Sequence, residues 1–419
     1  MTLRLRHLVE LGPRPKMPLP DDLEVSFAPM DSIKDGLGGL SALEAKPAVE
    51  VASGSYNYFE DGDVLLAKVT PCFENGKKAL ASELQNGVGF ATSEVHVIRP
   101  KPGRIVPRFL LYLLSSEKFR AEGMASMTGA GGLRRVGELA ILNHRPAVTD
   151  LPAQKAIADF LDRETARIDL LIEKKQRLIG VTHARFAAFR EECLVEGRST
   201  RLKHLANYVT SGSRDWGDRY SETGDLFVRI GNISGPSIDL DLSSRTFVNL
   251  GTRTEGQRTR LVENDLLISI TANLGAVAVV GPEAVGGYIN QHVALVRLTR
   301  PELARFVAYS LQTRKAFDEF QLRGYGGTKQ GLSLSDIREV RILLPVDLNG
   351  CLQLIEKLDR HWSRTLQIMQ AVFQSIDRLR EFRAALITAA VTGQIDPETW
   401  SRRGTTDRRL DQIEAEMGA

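Results

Sequence analysis

The chain has 419 residues, of which 42% are hydrophobic and 26% charged, with a formal net charge of +3. That composition suits about three average domains with apolar cores and excludes a disordered or fibrous chain. The charge is too small to mark a nucleic-acid partner by itself, and no run of about 18 apolar residues offers a membrane span.

In chain order, the start MTLRLRHLVELG is basic, but no apolar signal core follows it. Residues 1–150 read as a mixed α+β domain. VHVIRP (95–100) is a predicted strand and 107–120 a predicted helix, with Gly, Pro, Asn and Asp between elements. Lys77 and Lys78 fall in a predicted turn, where they suit phosphate contact or simple solvation. The loop GAGGLRR (129–135) presents Thr128, Arg134 and Arg135 on flexible backbone, as donors to phosphates or base edges or as an ordinary polar loop.

Residues 151–199 read as one long helix starting near Pro152, with Asp150 just upstream. Two apolar rows repeat every seven residues, Leu161, Ile168 and Phe189 beside Ile172, Ile179, Phe186 and Cys193; Lys175, Thr182 and Gly180 interrupt them. Residues 200–346 form a second mixed domain, with predicted strands LLISI (266–270) and VALVRL (293–298) and a predicted helix over 302–321. Of its 18 basic residues 15 are arginine, whose planar fork suits phosphate or guanine, although codon preference alone produces the same bias. Arg229, Asn232 and Asn273 at strand–loop junctions, and Thr328, Lys329 and Gln330 in the loop GYGGTKQ (324–330), are the candidate DNA contacts here. Tyr325 suits stacking or plain packing.

Residues 347–395 read as a second long helix, from an N-cap at Asn349 to a stop at Gly393. Its rows are Leu358, Val372, Leu379 and Leu386 beside Trp362, Met369 and Ile376. Such staggered rows over more than forty residues predict a coiled coil rather than a helix packed on its own domain. Each helix would be about 65 Å long at 1.5 Å per residue. Residues 396–419 read as a charged tail.

The strongest signal is that the chain is written twice. RLRHL (4–8) matches RLKHL (201–205), RFLLYLL (108–114) matches RFVAYSL (305–311), and Leu161-Asp162-Arg163 matches Leu358-Asp359-Arg360, all at an offset of 197. Phe186–Gly197 matches Phe382–Gly393 at an offset of 196, and DVLLAKV (63–69) resembles DLLISIT (265–271). A period this long makes each copy a domain plus a helix, not a solenoid turn. Two copies of one unit tend to pair about a two-fold axis. The expected fold is therefore α+β: two globular mixed domains separated by two long antiparallel coiled-coil helices, with an internal pseudo-two-fold.

Here the residues resemble a known family. LPAQKAIADFLDRETARIDLLIEKKQRLI (151–179) is similar to the central repeat of type I restriction specificity subunits, and LREFRAALITAAVTGQID (379–396) to the end of their second repeat. INQHVALVRL (289–298) resembles a strand of their recognition domains. The resemblance covers about 1–396 and implies a non-catalytic subunit. Each globular part would be a target recognition domain reading one half of a split site on double-stranded DNA. The helices would set the spacer and dock two modification (adenine methyltransferase) subunits, with restriction subunits joining them. The chain departs from the family at the helix starts, LPAQ (151–154) and DLNGCLQ (347–353).

Catalytic signatures are consistent with that reading by their absence. No NPPF- or NPPY-like motif, P-loop, HExxH or GxSxG occurs, so no cofactor or metal is expected. Cys72, Cys193 and Cys351 form no CxxC pair, which fits a reducing cytoplasm. Two rivals remain: a coiled-coil scaffold with no DNA role, and a metal-dependent nuclease, since Asp21 followed by Glu44 and Lys46 has the order of a PD…ExK site, although no strand signal surrounds Glu44.

Overall fold

A computed structural model describes residues 3–400, apart from 38, 53, 131, 148, 213–215, 234, 250–255 and 325–330. Contacts divide the chain into two compact units, Met1–Lys175 with Gln374–Ala419, and Gln176–Phe373. Each long helix is shared between them.

In the first unit a central antiparallel sheet has the order Val9–Leu11, Val95–Pro100, Val64–Ala67, Lys78–Leu80. Its middle strands are apolar on both faces. Val64, Leu66 and Ile98 join a core with the helices, while Leu65, Val95 and Val97 join a second core beneath the other sheet. A strand covered on both sides needs a continuous apolar run, which VLLA supplies. The other sheet runs Glu44–Pro47, Glu24–Ala28, Val88–Ala91, Asn57–Glu60, with a parallel central pair.

The second unit repeats this plan. Its central sheet is Ala206–Ser211, Val293–Leu298, Leu266–Ser269, Val277–Val279, again antiparallel. Its small sheet runs Tyr220–Ser221, Phe247–Val248, Asp225–Val228, Tyr288–Ile289, again with one parallel pair. Each unit thus has a mixed α+β body, and the three strands expected from sequence are present.

Two expectations need correction. Each single helix predicted at 107–120 and 302–321 is a pair, Pro107–Leu113 with Glu117–Ala125, and Ala304–Leu311 with Arg314–Arg323. The breaks fall at Ser116 and Thr313, extended N-cap residues one repeat apart; Ser116 Oγ accepts from Phe119 N. In both units the long helix helps cap the second member: Glu117 N donates to Thr388 Oγ1 at 3.1 Å, and Arg314 N to Glu191 Oε1 at 2.7 Å.

The long helices span Leu151–Cys193 and Leu348–Val391. Asp150 Oδ1 accepts from Ala153 N, as its position implied. At the second helix the cap is Asp347, which accepts from Gly350 N at 2.6 Å, not Asn349, which lies inside the helix. In the first unit the seam buries Leu161, Ile168 and Leu171 against Leu379 and Leu386. In the second, Phe186 packs on Leu358 and Trp362. Val372 and Ile376 are also buried, whereas Ile172, Ile179 and Met369 are only half-buried. The long helices run antiparallel within each unit: Asp169 pairs with Arg383 in one, and Phe186 meets Trp362 while Phe189 stacks on His361 in the other; past the second helix, Trp400 meets Phe160. Among the described residues no helix is long and apolar enough to cross a membrane.

Candidate nucleic-acid interface

In the first unit the glycine-rich loop is anchored to the end of strand Val64–Ala67. Thr128 and Arg135 exchange both backbone hydrogen bonds. Thr70 Oγ1 donates to Gly132 O and accepts from Arg134 N, both at 2.9 Å. Gly129 is required here: its φ is +143°, and a Cβ would lie 2.2 Å from the Leu133 carbonyl oxygen. The result holds Thr128, Arg134 and Arg135 exposed.

Both arginines are already paired, Arg134 with Glu74 at 3.2 Å and Arg135 with Glu94 at 3.0 Å. They remain about half exposed, at 53% and 49%. Sequence reasoning did not single out Glu74 and Glu94, whose carboxylates hold the guanidinium groups in place and compete with any incoming phosphate.

Lys77 is half-buried, with Nζ 3.4 Å from the Met30 carbonyl. Lys78 does not share the solvated turn expected of it. It opens a strand, is 3% exposed, and donates to Gly76 O at 3.1 Å. Burial, then the charges of Arg120 and Arg383, push its pKa down to about 7 from an ordinary 10.5. The unfolded chain therefore holds a proton that the folded chain has lost between about pH 7 and 10.5. Stability of the first unit should rise with pH across that window, by at most about 1.4 kcal/mol per pH unit. Below pH 7 both states are protonated and the desolvation penalty stands in full. Urea unfolding at pH 7 and 9 checks this: Lys78→Met should flatten the slope and raise stability at pH 7, and an unchanged slope would refute the account.

In the second unit a cleft of about 690 Å³ opens over the small sheet. Trp216 and Phe227 are buried in its floor, and Tyr220 is half exposed at its edge. Its polar lining includes Arg229, Asn232, Asp241, Ser243, Asn290, Gln291 and His292. A concave, partly aromatic site with convergent polar groups is the usual form of a recognition pocket. Trp216 Nε1 is buried with no hydrogen-bond partner among the described residues.

Asn232 lines this cleft but works structurally. It is 7% exposed, accepts from Arg229 N, and donates to the carbonyls of Asp241 and Ser244 at 2.8 and 3.0 Å. With both amide donors and its carbonyl engaged, it shapes the loop that presents Arg229. Arg229 itself is exposed. Asn273 is exposed on the turn after Thr271, whose Oγ1 meets His292 Nδ1 at 3.1 Å, but it does not line the cleft. Tyr325, Thr328, Lys329 and Gln330 lie outside the described residues. Asn290, Gln291 and His292 were not selected from sequence, although their signal was present: three polar residues in a row at the mouth of an apolar strand.

The bridge Thr271–Gly331 corresponds to Val69–Arg135 of the first unit, because the two strands before it align through Asp63 and Asp265. Arg135 therefore corresponds to Gly331.

The nuclease-like residues are not brought together as a metal site. Glu44 and Lys46 do lie on a strand, contrary to the sequence reading, but they pair with each other at 3.0 Å. Lys46 Nζ also sits 4.2 Å from the centre of the Phe27 ring. Asp21 lies in a turn, and its backbone carbonyl accepts from Val49 N. Among the described residues no group of three His, Cys, Asp or Glu side chains is arranged to hold a metal ion.

Over 154 residues the chain is 39% identical to the type I restriction enzyme EcoAI specificity subunit of Escherichia coli, a match that takes in 36% of this chain and 26% of that protein. The chain thus matches about a quarter of that relative's length. In fold it is similar to a chain solved in work on complex assembly and conformational transition of the type I R-M system, with a TM-score of 0.70 at 17% identity over 94% of this chain and 97% of that one. It is also similar to the crystal structure of the HsdS subunit from Thermoanaerobacter tengcongensis, with a TM-score of 0.50 at 17% identity over 94% and 96% of the two chains. No family model matches the chain. In sequence the chain is thus similar to part of a type I specificity subunit, and in fold to chains of type I systems.

Proposed function

We propose that the chain is the DNA-specificity subunit of a type I restriction-modification system. It makes no catalytic contribution of its own and reads a split target on double-stranded DNA. The first recognition domain, 1–150, uses Lys77, Thr128, Arg134 and Arg135. The second, 200–346, uses Arg229, Asn273 and the residues of the glycine-rich loop 324–330. The helices, 151–199 and 347–395, set the spacer length and dock two modification subunits, which restriction subunits join in the cytoplasm.

The observation that carries this reading is the duplication, which extends from sequence to individual contacts. A repeated α+β body on a repeated long helix is what two half-sites at a fixed separation require. Two modest half-site affinities then multiply, because the second contact is effectively intramolecular. Lysine and arginine contacts to phosphate make binding salt-sensitive, while the loops choose bases.

Base-modification sequencing of host DNA, with the gene intact and then deleted, tests the proposal. The expected result is loss of adenine methylation at one split motif with a fixed spacer. In a host that makes the modification subunits, a methylome unchanged by the deletion would refute it.

A further inference from the structure

Each unit fastens its globular body to a long helix through the same three side chains. In the first, Asp162 accepts from the Tyr112 hydroxyl and from Arg108 Nε, both at 2.6 Å. In the second, Asp359 accepts from the Tyr309 hydroxyl at 2.6 Å and from Arg305 Nε and NH2 at 2.9 and 2.7 Å. Both tyrosines are buried, at 1% and 0% exposure. All three positions repeat at the offset of 197, whereas strand residues nearby drift to other offsets, as Asp63 and Asp265 do. Burial beside the aspartate, then the hydrogen bond to it, raises the pKa of each tyrosine, so the hydroxyl stays a donor throughout the physiological range.

Apolar packing also joins body to helix, but it is non-directional and tolerates small rotations and slips. A carboxylate gripped by a hydroxyl and a guanidinium tolerates little, because both bonds are short and angle-dependent. We propose that Arg108–Tyr112–Asp162 and Arg305–Tyr309–Asp359 are positioning brackets. They fix the seating of each recognition domain on its helix and so limit the accepted spacer to one length. This inference rests on the proposed function. One base pair advances about 3.4 Å along the duplex, so a seating error of a few ångströms is enough to admit a neighbouring spacing.

The two brackets differ in strength. Arg305 grips Asp359 with two nitrogens and also reaches Asp239 at 2.7 Å, and its side chain is 31% exposed. Arg108 grips Asp162 with Nε at 2.6 Å, and its side chain is 45% exposed. The second bracket is the stiffer one, so breaking it should have the larger effect.

The test is methylome sequencing of host cells carrying Tyr309→Phe, Arg305→Lys or Arg305→Ala, alongside Tyr112→Phe and Arg108→Ala. The half-site sequences should not change. Methylation at spacers one base pair longer or shorter should rise at least tenfold relative to the native spacer in Arg305→Ala. It should rise less in Arg108→Ala and in the conservative Tyr309→Phe and Arg305→Lys. A purely structural role would lower methylation at every spacing without changing that ratio. If every variant still methylates only the native spacing, or if even Tyr309→Phe and Arg305→Lys abolish methylation altogether, the brackets serve folding and the proposal is overturned. A wild-type methylome with no split motif would remove the specificity reading and the brackets with it. A fixed wild-type spacer that no variant relaxes would remove the brackets alone.

Discussion

Replacing Phe186 with alanine should cost the second unit about 3–5 kcal/mol. Phe186 is fully buried on the first long helix. Its ring lies 4.7 Å from Trp362 on the second long helix and 6.2 Å from Tyr309 of the globular body, centre to centre. The Arg190 guanidinium sits 6.0 Å from the ring centre. One side chain therefore joins three elements, and truncation leaves a cavity that two helices and a domain helix would have to close together. Urea unfolding followed by tryptophan fluorescence reports the change, since Trp362 faces the lost ring. The repeat supplies an internal control. Phe382, the counterpart in the first unit, is only half-buried, so Phe382→Ala should lose clearly less. Equal losses, or a Phe186→Ala loss under about 1 kcal/mol, would show that burial does not govern this seam.

The second large effect is expected at Asp265. Its carboxylate is 1% exposed and takes two bonds of 2.7 Å from Arg297, plus the amide of Val262 at 2.9 Å. Asp265 raises the pKa of Arg297, chiefly through those bonds. Asp265→Ala strands a guanidinium and a backbone donor against the sheet. Breaking a buried pair ordinarily costs about 3–5 kcal/mol, but the Arg297 side chain is about a third exposed and water screens part of that, so about 2–4 kcal/mol is expected. Asp265→Ala with Arg297→Met should recover part of the loss, because no unpaired charge remains. Thermal melts of the single and double variants decide it. A double variant no more stable than Asp265→Ala alone would mean that the lost amide contact, not the charge, carries the cost. The first unit repeats the device, with Asp63 taking Arg99 at 2.8 and 2.7 Å and the Glu60 amide at 2.8 Å.

Much of this architecture was legible in the residues. The offset of 197 announced two copies, and the contacts of Asp162 and Asp359 carry it down to single atoms. The heptad rows located the seam, and continuous apolar runs located strands buried on both faces. Those signals survive because burial and periodicity are local properties of a sequence. Helix breaks were less legible: Ser116 and Thr313 are good caps, but apolar residues on either side masked them. The interface was least legible. Lys78 and Asn232 have the composition of surface readers, yet one is buried and the other ties two backbone segments together. Conversely, Trp216 and Asn290 share a cleft although more than seventy residues separate them in sequence. The sequence by itself determined the duplication, the α+β class and the long helices, because repetition and period are written along the chain. Only the tertiary structure decided which polar groups face solvent, because a side chain's exposure and its partners depend on what distant segments bring against it.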